Sequence, residues 1–303
     1  MALFEVKRQA IPSNLLKDRF EVNPFSILRA DTIEWIKQKR QWEYILRDRE
    51  NNIRDTVAKS NTPYINNFEK EDFKGAKSPN AGMISTFDPY LCEIMVKWFS
   101  EPGDMVLDPF AGGIVRGGVS CILGRKYFGM DISQKQVDHN RKMVYSICSR
   151  YSGIDNTPTY VVGDSDKLLD EMFKGYADLV LTCPPYYNLE RYTDEPSDLS
   201  NMPSYEDFRT AYYSIIRKCS YALKPGGYMV LVVEEIRDKN GNFYGFVPDT
   251  INACKAARLQ YYNEMILVNP IASLGIRCTK YFVASRKVGR HHQNVLVFRK
   301  DEN

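Results

Sequence analysis

The sequence predicts an α/β fold, a doubly wound and mostly parallel sheet with helices on both faces, preceded by an N-terminal extension. Three observations predict it. From about Ser85 onward, short apolar runs alternate with longer helical stretches, the pattern of repeated strand–helix–strand units. The first 80 residues lack that alternation and are polar and charge-mixed. The chain has 303 residues, of which 44% are apolar, enough for one large α/β domain or two modest ones.

The extension, residues 1–80, holds one helical candidate at 32–49, where Trp35, Trp42 and Leu46 form an apolar stripe. The same segment carries Lys37, Lys39, Arg40, Arg47 and Arg49. It is read as a target-recognition or dimer element, the oligomeric state being open, or as a helix packed on the main domain by its tryptophans. Residues 51–81 are rich in Asn, Lys, Glu, Asp, Ser and Pro and read as a long connection. In the main domain, residues 81–303, strands are expected at 104–107, 127–130, 159–162, 178–181, 228–233, 263–268 and 294–298. Helices are expected between them at 117–123, 134–151, 165–173, 204–223 and 247–258. Ligands of such sheets sit beyond the carboxyl ends of the strands, so the loops after the first four strands are where chemistry is expected.

Composition excludes several classes. Gly and Pro number 18 and 15, too few for a collagen-like or low-complexity chain. No apolar run is long enough to span a bilayer. The first residues lack the apolar stretch of a signal peptide, which predicts a cytoplasmic protein. The net charge of +3 does not by itself imply a nucleic-acid partner. None of the seven cysteines pairs at CxxC spacing, so no metal site is expected and most read as small buried residues.

The loop after the first strand reads Asp108-Pro109-Phe110-Ala111-Gly112-Gly113-Ile114. Small residues between a strand and a helix let a ligand approach the backbone closely. The spacing is neither GxGxxG nor a P-loop, so a phosphate cradle is not expected. An acid at the strand end suits a cationic ligand, although the same residues also make an ordinary tight turn. Asp131 ends the second strand, where an acid commonly accepts hydrogen bonds from ribose hydroxyls. Asp164 follows the third strand and is placed to accept from an adenine amino group. Either acid alone also reads as a helix cap or turn residue. Three acids at three consecutive strand ends form the stronger pattern.

The loop after the fourth strand reads Cys183-Pro184-Pro185-Tyr186. Two prolines fix φ twice and remove two donors, so their carbonyls are available as acceptors. Tyr186 supplies a stacking face. These are the requirements of transfer to an exocyclic amine of a base, whose lone pair is delocalised into the ring. Acceptors around the NH2 group favour the tetrahedral nitrogen of the transition state. A structural Pro-Pro turn capped by a packed tyrosine is the competing reading.

Together these residues resemble the amino-methylating DNA methyltransferases that use S-adenosylmethionine. Asp108 to Gly112 resembles their motif I, and Cys183 to Tyr186 their motif IV, with usual forms DPPY, NPPY and SPPY. Ser85-Thr86-Phe87-Asp88-Pro89 is similar to their motif X, and the stretch 292–300 to the closing strand. More narrowly, Asn23-Pro-Phe-Ser26, Asp198-Leu-Ser-Asn-Met-Pro203 and Arg286-Lys-Val-Gly289 resemble phage and prophage DNA methylases. The resemblance covers essentially the whole chain. It implies a Rossmann-like class I methyltransferase of seven strands, the last antiparallel. It implies S-adenosylmethionine held by Thr86, Phe87, Asp108, Pro109, Phe110, Gly112, Gly113, Asp131, Ile132, Asp164 and Ser165, with Asp108 near the sulfonium. Catalysis falls to Cys183, Pro184, Pro185 and Tyr186.

Two positions depart from the family. The third residue of the glycine turn is Ile114. At Cys183 a thiol, a weak acceptor, replaces Asp, Asn or Ser. The size of Cys favours cytosine N4 over adenine N6. An RNA or protein methyltransferase of the same fold, or a DNA-binding protein with a degenerate site, are the alternatives.

The stretch 266–300 contains no Asp or Glu. It carries seven cations, Arg277, Lys280, Arg286, Lys287, Arg290, Arg299 and Lys300. The first five are expected to hold the phosphates of double-stranded DNA. The acidic loop 188–203 is expected to face mostly away from phosphate, with its first turn beside the base pocket. Glu234 and Glu235 end the fifth strand, where they close a wall of that pocket or pair with Arg237.

Overall fold

A computed structural model describes residues 22–46, 59–60, 87–148, 150, 157–169, 173–271 and 274–302. The main sheet contains β1 (Ile27–Arg29), β3 (Met105–Asp108), β4 (Lys126–Asp131), β5 (Thr159–Val162), β6 (Ala177–Thr182), β8 (Leu223–Val233), β9 (Leu259–Val268) and β10 (His292–Lys300). Their order is β1-β9-β10-β8-β6-β3-β4-β5. β10 runs antiparallel to both β8 and β9, and every other pair is parallel. A small ladder joins β2 (Lys59–Ser60) to β7 (Glu190–Arg191).

The fold class is the expected one, and all seven expected strands are present. The count is eight rather than seven because β1, from the N-terminal segment, pairs with β9 at the sheet edge. Next to it lies helix α1 (Ile33–Ile45), started by the Thr32 side chain, which accepts from the Trp35 N–H. Trp35 and Trp42 are buried. Their indole N–H groups donate to Asp88 at 3.2 Å and Glu93 at 2.5 Å. Both partners belong to helix α2 (Pro89–Phe99) or its cap, so the tryptophans dock α1 there.

Helix α2 has no counterpart in the sequence expectations. Its start signal is clear: Asp88 accepts from two first-turn N–H groups and Pro89 sits at the first position. Its first eight residues, 89–96, are all buried, so the sequence shows a short apolar run broken by Glu93. A second unforeseen helix, α8 (Leu274–Ser285), lies within the basic stretch. The remaining helices are α3 (Val115–Ile122), α4 (Gln134–Cys148), the single turn α5 (Ser165–Leu168), α6 (Tyr205–Ala222) and α7 (Phe246–Ala256).

Each face of the sheet carries its own core. One face packs Leu179, Leu181, Val230, Val232, Val295 and Val297 beneath α1, α2 and α3. The other packs Val180, Met229, Leu231 and Phe298 against Phe208, Tyr212 and Phe246 of α6 and α7. Among the described residues, no helix is long and apolar enough to cross a membrane.

Candidate functional site

A cavity of about 580 Å³ opens at the carboxyl ends of the parallel strands. Its wall includes Phe87, Pro109, Phe110, Gly112, Gly113, Asp131, Ile132, Asp164 and Ser165, together with all of Cys183, Pro184, Pro185 and Tyr186. The structure therefore brings loops that are distant in sequence into one space. Thr86 lies outside the described residues.

Asp108 requires a correction. Its side chain is fully buried and does not line the cavity. It accepts from Arg116 Nε at 2.5 Å, Thr182 Oγ1 at 2.6 Å, the Tyr127 hydroxyl at 2.7 Å and the Phe110 N–H at 3.2 Å. With four donors satisfied inside the protein, this carboxylate shapes the loop and is not turned toward a ligand. A buried charge needs such pairing, and Arg116 provides it. Arg116 also donates to the carbonyls of Phe110 and Ala111, at 2.6 and 3.1 Å, and lies over the Phe87 ring at 4.7 Å. The acid at the strand end thus holds motif I through an arginine eight residues later, which carried no signal of its own in the sequence.

Asp131 does line the cavity. It accepts from the Gly112 N–H and the Ser133 N–H, both at 2.8 Å. Gly112 has φ +49, a conformation that favours glycine. The first of these bonds clips the motif I turn to β4. Burial pushes the Asp131 carboxyl up to about 6, against the two N–H bonds that favour its charged form. Asp164 caps α5 by accepting from the Asp166 N–H at 2.9 Å and keeps its place on the cavity wall. Ser165 donates to the Pro109 carbonyl, tying the loop after β5 to motif I.

On the other side stands motif IV. Thr182 is anchored to Asp108, so the two motifs share one buried carboxylate. The Cys183 thiol lies 3.7 Å from the Tyr186 hydroxyl. The Tyr186 ring meets Phe246 edge-on at 6.0 Å, and burial raises its phenol well above the usual value. Tyr187 has φ +48, which turns the chain sharply after the motif. Its ring is buried against Tyr205, Phe208 and Tyr244.

The first turn of the acidic loop reaches the site as expected, and its later part does so too. Tyr192, Ser197, Asp198 and Leu199 all line the cavity. Asp198 is buried and organises the loop, accepting from the N–H and hydroxyl groups of both Thr193 and Ser200. The residues ending β8 separate. Glu235 accepts from the N–H groups of Phe246 and Val247 and caps α7. Glu234 lines the cavity, 3.6 Å from Arg290. The expected partner Arg237 instead stacks on Phe243.

The basic stretch does not form one patch. Lys300 donates to the carbonyls of Ser220 and Leu223, at 2.7 and 2.6 Å. Arg299 pairs with Glu302. Both stand at the end of β10 remote from the cavity. Arg290 has partners of its own: it donates to Asn294 Oδ1 at 2.7 Å and the His292 carbonyl at 3.2 Å besides meeting Glu234. Its guanidinium is thus partly engaged inside the wall. Arg286 is exposed, and Lys287 is half-buried against Gly241. The side chains of Arg277 and Lys280 lie outside the described residues. Among the described residues no group of acids, cysteines and histidines could hold a metal.

The cavity also takes in residues without sequence signal. Lys39 reaches it from α1 and pairs with Asp88 at 3.1 Å. Gln136 and His139 reach it from α4, and Asn269 and Gln293 from the ends of β9 and β10. Lone polar residues in helices and strand ends carry no motif, so only the fold could reveal them.

No protein-family model matches the chain. A stretch of 53 residues is 40% identical to the DNA adenine methyltransferase YhdJ of Escherichia coli (strain K12), covering 18% of this chain and 18% of that protein. Among solved structures, TTHA0409 of Thermus thermophilus, provisionally named a DNA modification methylase, is 20% identical over 47% of this chain and 53% of its own, with a TM-score of 0.36. The TehB-like S-adenosylmethionine-dependent methyltransferase of Corynebacterium glutamicum is 16% identical, covering 69% of this chain and 87% of its own, with a TM-score of 0.41. The magnesium protoporphyrin IX methyltransferase of Synechocystis PCC 6803 is 14% identical over 82% and 95%, with a TM-score of 0.46. At such scores the likeness carries no functional argument.

Proposed function

We propose that the protein transfers a methyl group from S-adenosylmethionine to the exocyclic amine of a base in double-stranded DNA, with cytosine N4 favoured over adenine N6. The observation that supports this best is the meeting of motif I, Asp131, Asp164 and Cys183–Tyr186 around one cavity. The short match to a DNA adenine methyltransferase agrees with the reaction class. The phage and prophage type remains part of the reading, on the phrases at 23–26, 198–203 and 286–289. Residues 1–80 are proposed as an extension packed on the catalytic domain of residues 81–303, which the docking of Trp35 and Trp42 supports.

The donor set suits the cofactor. Asp131 retains acceptor capacity for a ribose diol, and Asp164 for an adenine amino group. Carboxylates and a tight turn, without a phosphate cradle, fit a cationic ligand. When bound, S-adenosylmethionine supplies an electrophilic methyl group. The protein's own residues then select and orient. Tyr186 provides a ring for a base that has left the helical stack, which offsets part of an extrusion cost of a few kcal/mol. The Pro184 carbonyl accepts from the target amine and aligns its nitrogen with the methyl carbon. The aromatic wall behind motif IV excludes water from the reacting nitrogen.

The test is mass spectrometry of nucleosides from DNA of cells expressing the protein, with Tyr186→Ala as control. A new N4-methylcytosine or N6-methyladenine peak, absent from the control, is expected. Methylation confined to RNA or protein would transfer the reaction to those substrates.

A further inference from the structure

Motif IV lacks a strong acceptor at its first position, because Cys183 presents a thiol where a carboxylate, amide or hydroxyl usually stands. The sheet register shows what stands around it. Leu181 of β6 is opposite Val230 of β8, and Val232 of β8 is opposite Val295 of β10. All four side chains belong to the same face. Side chains on one face recur every second residue. Moving outward to the rim, Cys183 follows Leu181 and stands level with Val232, and Glu234 follows Val232 one same-face step further out, level with Gln293 of β10. Cys183, Glu234 and Gln293 all line the cavity.

Glu234 is held in this position. Arg290 stands 3.6 Å away, and Arg290 is fixed by Asn294 and the His292 carbonyl. The Glu234 side chain is 36% exposed, so one side meets the protein and the other the cavity. It lines the same cavity as Cys183 and Tyr186, and its charge adds to the burial that raises the Tyr186 phenol. Its neighbour Glu235 is consumed in capping α7, whereas Glu234 keeps acceptor capacity toward the cavity.

We propose that Glu234 is a catalytic residue, the carboxylate that accepts from the target amine in place of the side chain that Cys183 cannot supply. The proposal rests on the methyl-transfer reading above. The amine nitrogen gives its lone pair to the methyl carbon of S-adenosylmethionine. The carbon–sulfur pair stays with sulfur, which becomes the neutral thioether. The methylated nitrogen, now cationic, loses one proton to a Glu234 oxygen, and from there to solvent. The Pro184 carbonyl holds the other N–H.

The experiment compares the purified protein with Glu234→Gln, Glu234→Ala and the double variant Cys183→Asp/Glu234→Ala. Single-turnover methylation of duplex DNA is read by mass spectrometry, and S-adenosylhomocysteine binding by calorimetry. Glu234→Ala is expected to slow transfer about 100-fold, the scale of losing one preorganised transition-state partner. Glu234→Gln is expected to lose less, because an amide oxygen still accepts. S-adenosylhomocysteine binding should stay within about twofold in all variants, since Glu234 is remote from Asp131 and Asp164 along the sheet. The double variant, with the carboxylate returned to motif IV, is expected to recover at least about tenfold over Glu234→Ala. Wild-type rates in Glu234→Ala, or a folded double variant with no recovery, would overturn the proposal. A wild-type protein that binds S-adenosylhomocysteine but methylates no DNA would overturn the underlying reading and the proposal with it.

Discussion

Over β3, β4 and β5 the cavity wall is tied together by charged hydrogen bonds, whereas over β6 and β8 it is backed by rings. On the first side, Asp108 alone collects four donors, and Asp131 clips Gly112 to the neighbouring strand. On the second, Tyr186, Tyr187, Tyr205, Phe208, Tyr244 and Phe246 form a continuous aromatic group. The polar side fixes backbone positions to within a hydrogen bond, as a site for one defined cofactor requires. The aromatic side offers a dry wall with few fixed polar groups, which suits a flat base that must enter and leave. One buried carboxylate, Asp108, joins the two sides through Thr182.

The largest expected effect comes from removing that joint. Asp108→Asn leaves the Arg116 guanidinium buried without its counter-charge. Breaking one partner of such a pair costs about 3–5 kcal/mol. Tyr205→Phe, on the aromatic side, removes only the hydroxyl that donates to Asp249 at 2.8 Å and keeps the ring packing. It should cost about 1–2 kcal/mol. Urea denaturation of both variants checks the contrast. Equal losses would mean that the polar side is not the more rigidly specified one.

Next in size is Asp131, the proposed ribose acceptor. Asp131→Asn is expected to weaken S-adenosylhomocysteine binding about 10- to 100-fold, the value of hydrogen bonds to a charged group. The pH dependence sharpens this. Burial raises the Asp131 carboxyl from 3.8 to about 6, so the folded protein holds its proton more tightly than the unfolded chain. This group's stabilising contribution is therefore complete below about pH 4 and is lost as the pH rises through about 6. Ligand binding runs the other way, since the diol needs the charged acceptor. Calorimetric affinity should fall as the pH drops below about 6 in the wild type and stay flatter in Asp131→Asn. A pH-independent wild-type affinity would remove Asp131 from the ribose site.

The same contrast governs what the sequence disclosed. The polar side is built from acids at strand ends, and a period of strand, turn and helix makes such acids visible. Asp131 and Asp164 were legible for that reason. Asp108 was legible as a position but not as an orientation, because a sequence does not show that Arg116, Tyr127 and Thr182 converge on it. On the aromatic side motif IV stood out through its two prolines. Its backing rings are scattered over α6, α7 and the loop between β8 and α7, where they read only as core. The N-terminal tryptophans were visible as a stripe, while β1 was too short to signal. The seven cations of the basic stretch do not share one surface, since charge counted along a chain ignores that β10 carries Arg299 and Lys300 to the rim opposite the cavity. Helix α2 escaped because its first eight residues are all buried, a short apolar run that periodicity alone does not tell from a strand.

The smallest expected effects separate two arginines of that stretch. Arg286 is exposed and rests against the Phe282 ring at 5.4 Å, without a carboxylate partner among the described residues. Arg290 is built into the wall beside Glu234. If duplex DNA lies across this rim, Arg286→Ala removes one phosphate contact. Its affinity should drop only a few-fold, and the slope of log affinity against log salt should become shallower by about 0.9. Arg290→Ala should leave that slope unchanged and lower the methylation rate instead, because Glu234 loses the group that holds it. Fluorescence anisotropy with a labelled duplex at several salt concentrations, beside single-turnover assays, distinguishes the two. A salt slope that responds to Arg290 but not to Arg286 would reverse the assignment, placing phosphate against the wall and leaving Arg286 to solvent.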